Sequence, residues 1–207
     1  MSENTMPMIT SPTRKNDPSG LRRRVLDVAA QAFQTAGYGA TSVHDIVREA
    51  GVTGGALHHH FPSKKALALA VVRERVSAEV AETWIATVLA APSAAEGILT
   101  VFARTIDYLE TRGMVQGCPL GNLTLELALA DADVRDALAT EYAAWRGAIA
   151  ERLRSDGAAF AQPSPNGFAT VVVAMFSGAM SIAKAEQTAD ALKACVPQLR
   201  RMMDLSA

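Results

Sequence analysis

The sequence predicts an all-α fold of about nine helices, a small N-terminal bundle followed by a larger helical body. Three observations predict it. Apolar residues make up 49% of the 207-residue chain but aromatics only 5%, an Ala/Leu/Val-rich composition that suits helices better than sheets. Apolar positions recur at three- and four-residue spacing through most of the chain, and no internal repeat is evident. Ser, Thr or Asp precedes several of these runs, and Gly or Pro closes others, the order in which helices are capped and stopped.

Taken in order, residues 1–18 contain three prolines and no periodicity, and they read as a disordered arm whose Arg14 and Lys15 are the basic members. A first helix follows over 19–37, capped by Ser19, with Leu21, Val25, Val28, Ala29, Ala32 and Phe33 on one face. Ser42 caps a second helix carrying Val43, Ile46, Val47 and Ala50, and Gly51 ends it by supplying a left-handed residue. Thr53 caps a third helix of about two turns, Gly54 to His60, which Phe61 and Pro62 stop. Two short helices joined by a glycine turn read as a helix-turn-helix, whose second helix enters the DNA major groove. Ser63 then caps a long helix to about Ala90 with Leu67, Ala70, Val71, Val80 and Ile85 buried. A fifth helix runs to about Arg112 with Ile98, Phe102, Ile106 and Leu109 in step. The string GMVQGCPLGN, 113–122, breaks the pattern, and Leu123 to Ala130 resumes it. Asp131 caps a seventh helix to about Ser155, 157–167 reads as a loop, and two helices near 167–187 and 189–203 end the chain.

Net charge is −1, yet the charge is uneven. Residues 14–65 hold eight Lys/Arg against four acids, while 81–207 carry an acidic excess. A basic end on an acidic body gives a DNA-facing side, and it argues against broad, sequence-independent DNA binding. Two cysteines 77 positions apart suggest a reducing compartment without disulfides, and the N-terminus has no apolar signal region. The uncharged run 167–183 is short for a membrane span and diluted by Thr170, Ser177, Gly178 and Ser181. A cytoplasmic protein with no membrane partner is expected.

Residues 20 to about 70 resemble the DNA-binding domain of the TetR/AcrR family of bacterial transcriptional regulators. The resemblance is carried by Gly37-Tyr38, Thr41-Ser42, Asp45-Ile46, Ala50-Gly51-Val52-Thr53, Gly55-Ala56-Leu57, His60-Phe61, Ser63-Lys64 and Leu67. The later string GCPLGNLTLELALAD resembles a signature of one branch of these regulators. It implies a disordered arm 1–18, a three-helix DNA-binding domain 19–66 and a ligand-binding, dimerising domain 67–207. The family resemblance also implies a homodimer joined by the last two helices, a repressor that binds a palindromic double-stranded operator and is released from it by a small-molecule effector. By the same resemblance His44, Thr53, Gly54, Gly55 and His59 stand near base edges, and Ser42, His58, His60 and Lys64 near phosphates. At His58 the family most often has tyrosine, and an imidazole keeps the hydrogen bond to phosphate.

Other chemistry is weaker. All four histidines lie between 44 and 60, but His58, His59 and His60 project about 100° apart around a helix and cannot share one metal ion. Trp84, Phe102, Tyr108, Met114, Cys118, Trp145, Met175, Phe176 and Met180 are candidates for an effector pocket, and their character suggests a largely apolar ligand. Cys118, in a glycine-flanked break, offers an alternative reading as a thiol-based redox sensor. As a catalytic nucleophile it has no histidine after residue 60 to serve as its base, so no enzyme is expected and no cofactor is implied.

Overall fold

The computed structural model describes residues 18–156 and 164–203. Nine helices and no strand are found among them. The arm read over 1–18 lies, apart from Pro18, outside the described residues, as does most of the loop read over 157–167. Helices α1 (Pro18–Thr35), α2 (Val43–Ala50) and α3 (Gly54–His60) form the head. Helix α4 runs unbroken over 64–90, and α5 (Ala94–Thr111), α6 (Pro119–Leu127), α7 (Ala132–Ser155), α8 (Pro165–Glu186) and α9 (Asp190–Met202) form the body.

The helices begin where the chain offers an oxygen to the first turn. Side chains of Ser42, Thr53, Ser63, Ser93, Asp131 and Ser164 accept backbone N–H groups at the starts of α2, α3, α4, α5, α7 and α8. Each such cap is worth about 1 kcal/mol. Gly51 ends α2 with φ 64°, and Gly37, φ 89°, turns the chain after α1, which therefore stops at Thr35 rather than 37.

Two further features depart from the sequence reading. Helix α6 starts at Pro119, not Leu123, because Gly117 takes the turn at φ 83° and proline suits the first helical position, where its missing N–H costs nothing. Within α4, Val72–Val76 and Ala81–Ile85 are π-helical, each wider than an α turn. No glycine or proline marks them in the sequence.

The head is closed by Leu26, Phe33, Ile46, Leu57 and Phe61, with Leu67 and Val71 of α4 completing its core. Further along α4, Trp84 joins a buried aromatic cluster with Phe102, Trp145 and Phe176. Its ring centroids lie 4.9 Å from those of Trp145 and Phe176, and Phe102 is 5.4 Å from Phe176. The Trp84–Phe176 and Phe102–Phe176 pairs are edge-to-face, which the ring quadrupoles favour. Helix α8 has the length and hydropathy of a membrane span, but Phe168, Val172, Phe176, Ala179, Met180 and Ala183 are buried in this core. Its opposite side exposes a stripe of small and apolar residues, Val171, Ala174, Gly178 and Ile182.

Helices α4 and α5 fold back on each other at Gly97, where an added Cβ would stand 2.7 Å from Val88 Cα and 3.2 Å from Ala91 Cβ. Gly147, on the exposed side of α7, has nothing within 4 Å of such a Cβ. Gly97→Ala is therefore expected to destabilise by about 1–3 kcal/mol through overpacking, and Gly147→Ala to stabilise by about 0.5–1 kcal/mol. Thermal unfolding followed by circular dichroism checks both; shifts of the same sign would contradict this packing.

Candidate nucleic-acid interface and ligand cavity

Most of the helix-turn-helix residues read as DNA contacts are accessible. Ser42, His44, Thr53, Gly54, Gly55, His58 and His59 are exposed, while His60 and Lys64 are half-buried. Several have internal work. Ser42 Oγ accepts the Asp45 N–H at 3.0 Å, and Thr53 Oγ1 accepts that of Ala56 at 3.2 Å. Lys64 Nζ donates to the Tyr38 carbonyl at 2.5 Å and lies 4.1 Å from the centre of the Tyr38 ring, and burial lowers its pKa. An ammonium has three donors, so this bond leaves two for a phosphate. Gly54 and Gly55 have no neighbour within 4 Å of where a Cβ would stand. Nothing among the described residues requires glycine at either position.

Behind the head lies a cavity of about 680 Å³, bordered by α1, α4, α5, the 112–118 segment, α6, α7 and α8. The π-helical segments of α4 supply Val76, Glu82, Thr83 and Trp84 to its wall. Trp84, Trp145, Phe176 and Met180 form an apolar side, while Asp27, Arg75, Glu79, Glu82, Arg104 and Arg112 bring charge. Asp27 accepts Arg75 Nε at 2.6 Å, and the Arg112 guanidinium sits 4.5 Å from the Tyr108 ring centre. The Glu79 carboxyl is raised, by burial first and then by neighbouring Glu82. Glu79 keeps accessible surface and also lines the cavity.

Residues 25–71 match the family described as bacterial regulatory proteins, tetR family, and residues 94–198 match the C-terminal domain of LmrA/YxaF-like transcriptional regulators. The chain belongs to the TetR family. LmrA, an HTH-type transcriptional regulator of Bacillus subtilis (strain 168), is 29% identical over 183 residues, which cover 86% of this chain and 95% of LmrA. The HTH-type transcriptional repressor KstR2 of Rhodococcus jostii (strain RHA1) is 44% identical over 55 residues, 27% of each chain. Among solved structures, E. coli NemR in its reduced form superposes with a TM-score of 0.80 at 19% identity, covering 88% of this chain and 96% of NemR. A regulatory protein TetR from Rhodobacter sphaeroides gives 0.79 at 22% identity, covering 88% and 98%. These two show the fold. This TetR-family chain is a DNA-binding transcriptional regulator and not an enzyme.

Of the nine residues read as a TetR-family effector pocket, Trp84, Tyr108, Met114, Cys118, Trp145, Phe176 and Met180 border the cavity. Phe102 is fully buried behind it in the aromatic cluster, and Met175 stands beside the exposed stripe of α8. Sequence reasoning missed the charged wall, because it searched for apolar and aromatic residues alone. It also missed Gln31 and Gln34, which bring the head itself to the cavity edge. Cys118 is half-buried with its thiol pushed up to about 11, chiefly by burial, opposed by the Gly121 N–H and reinforced by the Glu79 carboxylate. A thiol so held is protonated at neutral pH and a poor nucleophile. His59 and His60 rings lie 5.3 Å apart, and among the described residues no group of three or more His, Cys, Asp or Glu is placed to hold a metal.

Charged residues tie head to body. Arg22, which its place near the start of α1 suggests for a DNA backbone, instead grips both oxygens of Glu74 on α4. Lys65 bridges Asp131 at 2.8 Å and Asp133 at 2.7 Å at the start of α7. These bonds push the Lys65 pKa up to about 12 and hold Asp131 below the usual carboxylate range. A raised lysine stabilises below its ordinary value of about 10.4 and ceases to as pH rises through the folded one; a lowered aspartate stabilises above about 3.9 and ceases to as pH falls. The bridge therefore contributes fully between those limits. Lys65→Gln should lower the melting temperature slightly at pH 7, with the gap to wild type narrowing toward pH 3. A gap that is unchanged by acid would contradict the ion pairing.

Proposed function

We propose that this protein is a cytoplasmic homodimeric repressor, released from a palindromic operator when a small molecule fills the cavity. The observation that carries the reading is the cavity itself, about 680 Å³ of space walled by α1 of the head and by the aromatic cluster of the body. That volume suits a small organic ligand. The aromatic side favours a largely apolar molecule, and the carboxylates and guanidiniums opposite favour one with a polar edge. The exposed stripe Val171, Ala174, Gly178 and Ile182 on α8 supports a face that packs against a second copy. Two heads related by a two-fold axis read two half-sites about one helical turn apart.

In this reading Ser42, His58, His60 and Lys64 contact phosphates, and His44 and His59, with Thr53, face base edges. Gly54 and Gly55 leave room for the DNA backbone to approach the start of α3. The redox alternative at Cys118 is disfavoured by the raised thiol.

Selection of sites from random duplex DNA, followed by anisotropy at fixed salt, tests the reading. A palindrome bound about 10³-fold or more tightly than random duplex is expected; absence of enrichment from protein stripped of small molecules would contradict it. Gly55→Ala separates the DNA role from folding. Open space and better helix propensity should leave its melting temperature unchanged or higher, while affinity for the selected palindrome falls at least about tenfold, a loss of roughly 1.4 kcal/mol. Undiminished affinity would show that the glycine does not serve close approach.

A further inference from the structure

The 113–122 segment is absorbed neither by the reading face nor by the aromatic wall, and its polar groups form a junction between head and body. Gln34 of α1 donates from Nε2 to the carbonyl of Gly117 at 2.7 Å and to that of Gln116 at 3.3 Å. Its Oε1 accepts Asn122 Nδ2 at 3.0 Å, and the same nitrogen donates to the Gln116 carbonyl at 2.9 Å. Asn122 Oδ1 in turn accepts Lys184 Nζ of α8 at 3.1 Å. Gln187, the left-handed cap of α8, accepts the Val115 N–H at 3.0 Å and donates to the Val115 carbonyl at 3.1 Å. One short segment is thus fastened to α8 on one side and to α1 on the other.

Two glycines show how closely these parts fit. A Cβ on Gly117 would lie 3.0 Å from Lys184 Cδ and 3.1 Å from Asn122 Oδ1. One helical turn beyond Asn122, the Glu126 carboxylate accepts the N–H groups of Tyr38 at 3.0 Å and Gly39 at 2.8 Å. A Cβ on Gly37 would stand 2.9 Å from Glu126 Oε1. Asn122 and Glu126, four apart, share one face of α6, so both hold the end of α1 and the turn leading to α2.

Gln34, Gln116, Gly117 and Cys118 also border the cavity. A guest at that end presses on the same atoms that hold α1. We propose that Asn122 is a positioning residue that couples the cavity to the DNA-reading helices, by holding Gln34 against the 116–117 carbonyls in the arrangement that fits the operator. Movement of 113–118 around a ligand breaks this hold and lets α1 swing. The inference rests on the ligand-released reading above and assigns its route.

Coupling between sites is reciprocal, so DNA binding must be felt at the junction even with no effector in hand. Hydrogen exchange of the full chain, with and without the selected palindromic duplex, reads this at amides 113–118. In the wild type the duplex should slow their exchange by about fivefold or more, the lower end of typical coupling. Gln34→Ala removes the head side of the junction. Asn122→Asp keeps the oxygen for Lys184 and removes the donor to Gln34. Both should still bind the duplex, with protection at 113–118 falling below about twofold. Wild-type protection in both variants, or none in the wild type while duplex is bound, overturns the inference. If no duplex is enriched or bound, the ligand-released reading falls and takes this route with it.

Discussion

One helix is buried in both head and body, and the rest of the structure depends on that constraint. Helix α4 gives Leu67 and Val71 to the head and Val80, Trp84 and Val88 to the body. At a rise of about 1.5 Å per residue it is a rod roughly 40 Å long, so a tilt imposed at the aromatic end moves the reading helices at the other. The two π-helical segments lie along this rod, Val72–Val76 just after the residues given to the head and Ala81–Ile85 carrying Trp84 into the body, and both supply residues to the cavity wall. The cavity beside this rod leaves its wall less tightly packed than a uniform core would be.

Electrostatics assist the frame more than composition suggests. The basic balance of the N-terminal quarter reads as a DNA-binding charge, but Arg22 serves Glu74, Lys65 serves Asp131 and Asp133, and Arg48 pairs with Asp45 at 2.7 Å. Half-exposed pairs of this kind contribute little stability individually. Their value lies in orientation: the Arg22 and Lys65 pairs tie one helix to another, while Arg48 and Asp45 brace α2 internally. In the proposed reading the operator-facing surface relies on hydrogen-bonding groups, exposed imidazoles and open backbone, with modest net charge. Such a surface favours selectivity over indiscriminate attraction to phosphate.

The head was legible from sequence because its information is local. Ser42, Gly51, Thr53 and Ser63 announce their helices within four residues, and the structure places all four where their chemistry demands. The start of α6 was less legible, since the glycines of 113–122 conceal a helix that proline begins. The junction was not legible at all. Gln34 and Asn122 are 88 positions apart, and neither periodicity nor capping speaks across that distance. For the cavity, apolar character pointed to seven wall residues but also to Phe102, which sits one layer deeper, and to Met175, which stands beside the outer stripe of α8. Helical periodicity cannot tell a core face from a cavity face, because both exclude bulk water; the charged residues opposite, from Asp27 to Arg112, mark the difference only once the helices are assembled.

The account stands or falls on two heads acting as one reader on a symmetric site. Native mass spectrometry of the protein mixed with its selected palindromic duplex measures this directly. The account predicts a single complex of two chains per duplex, retained when the flanking DNA is lengthened. One chain per duplex, or a ladder of chains that grows with DNA length, would contradict it.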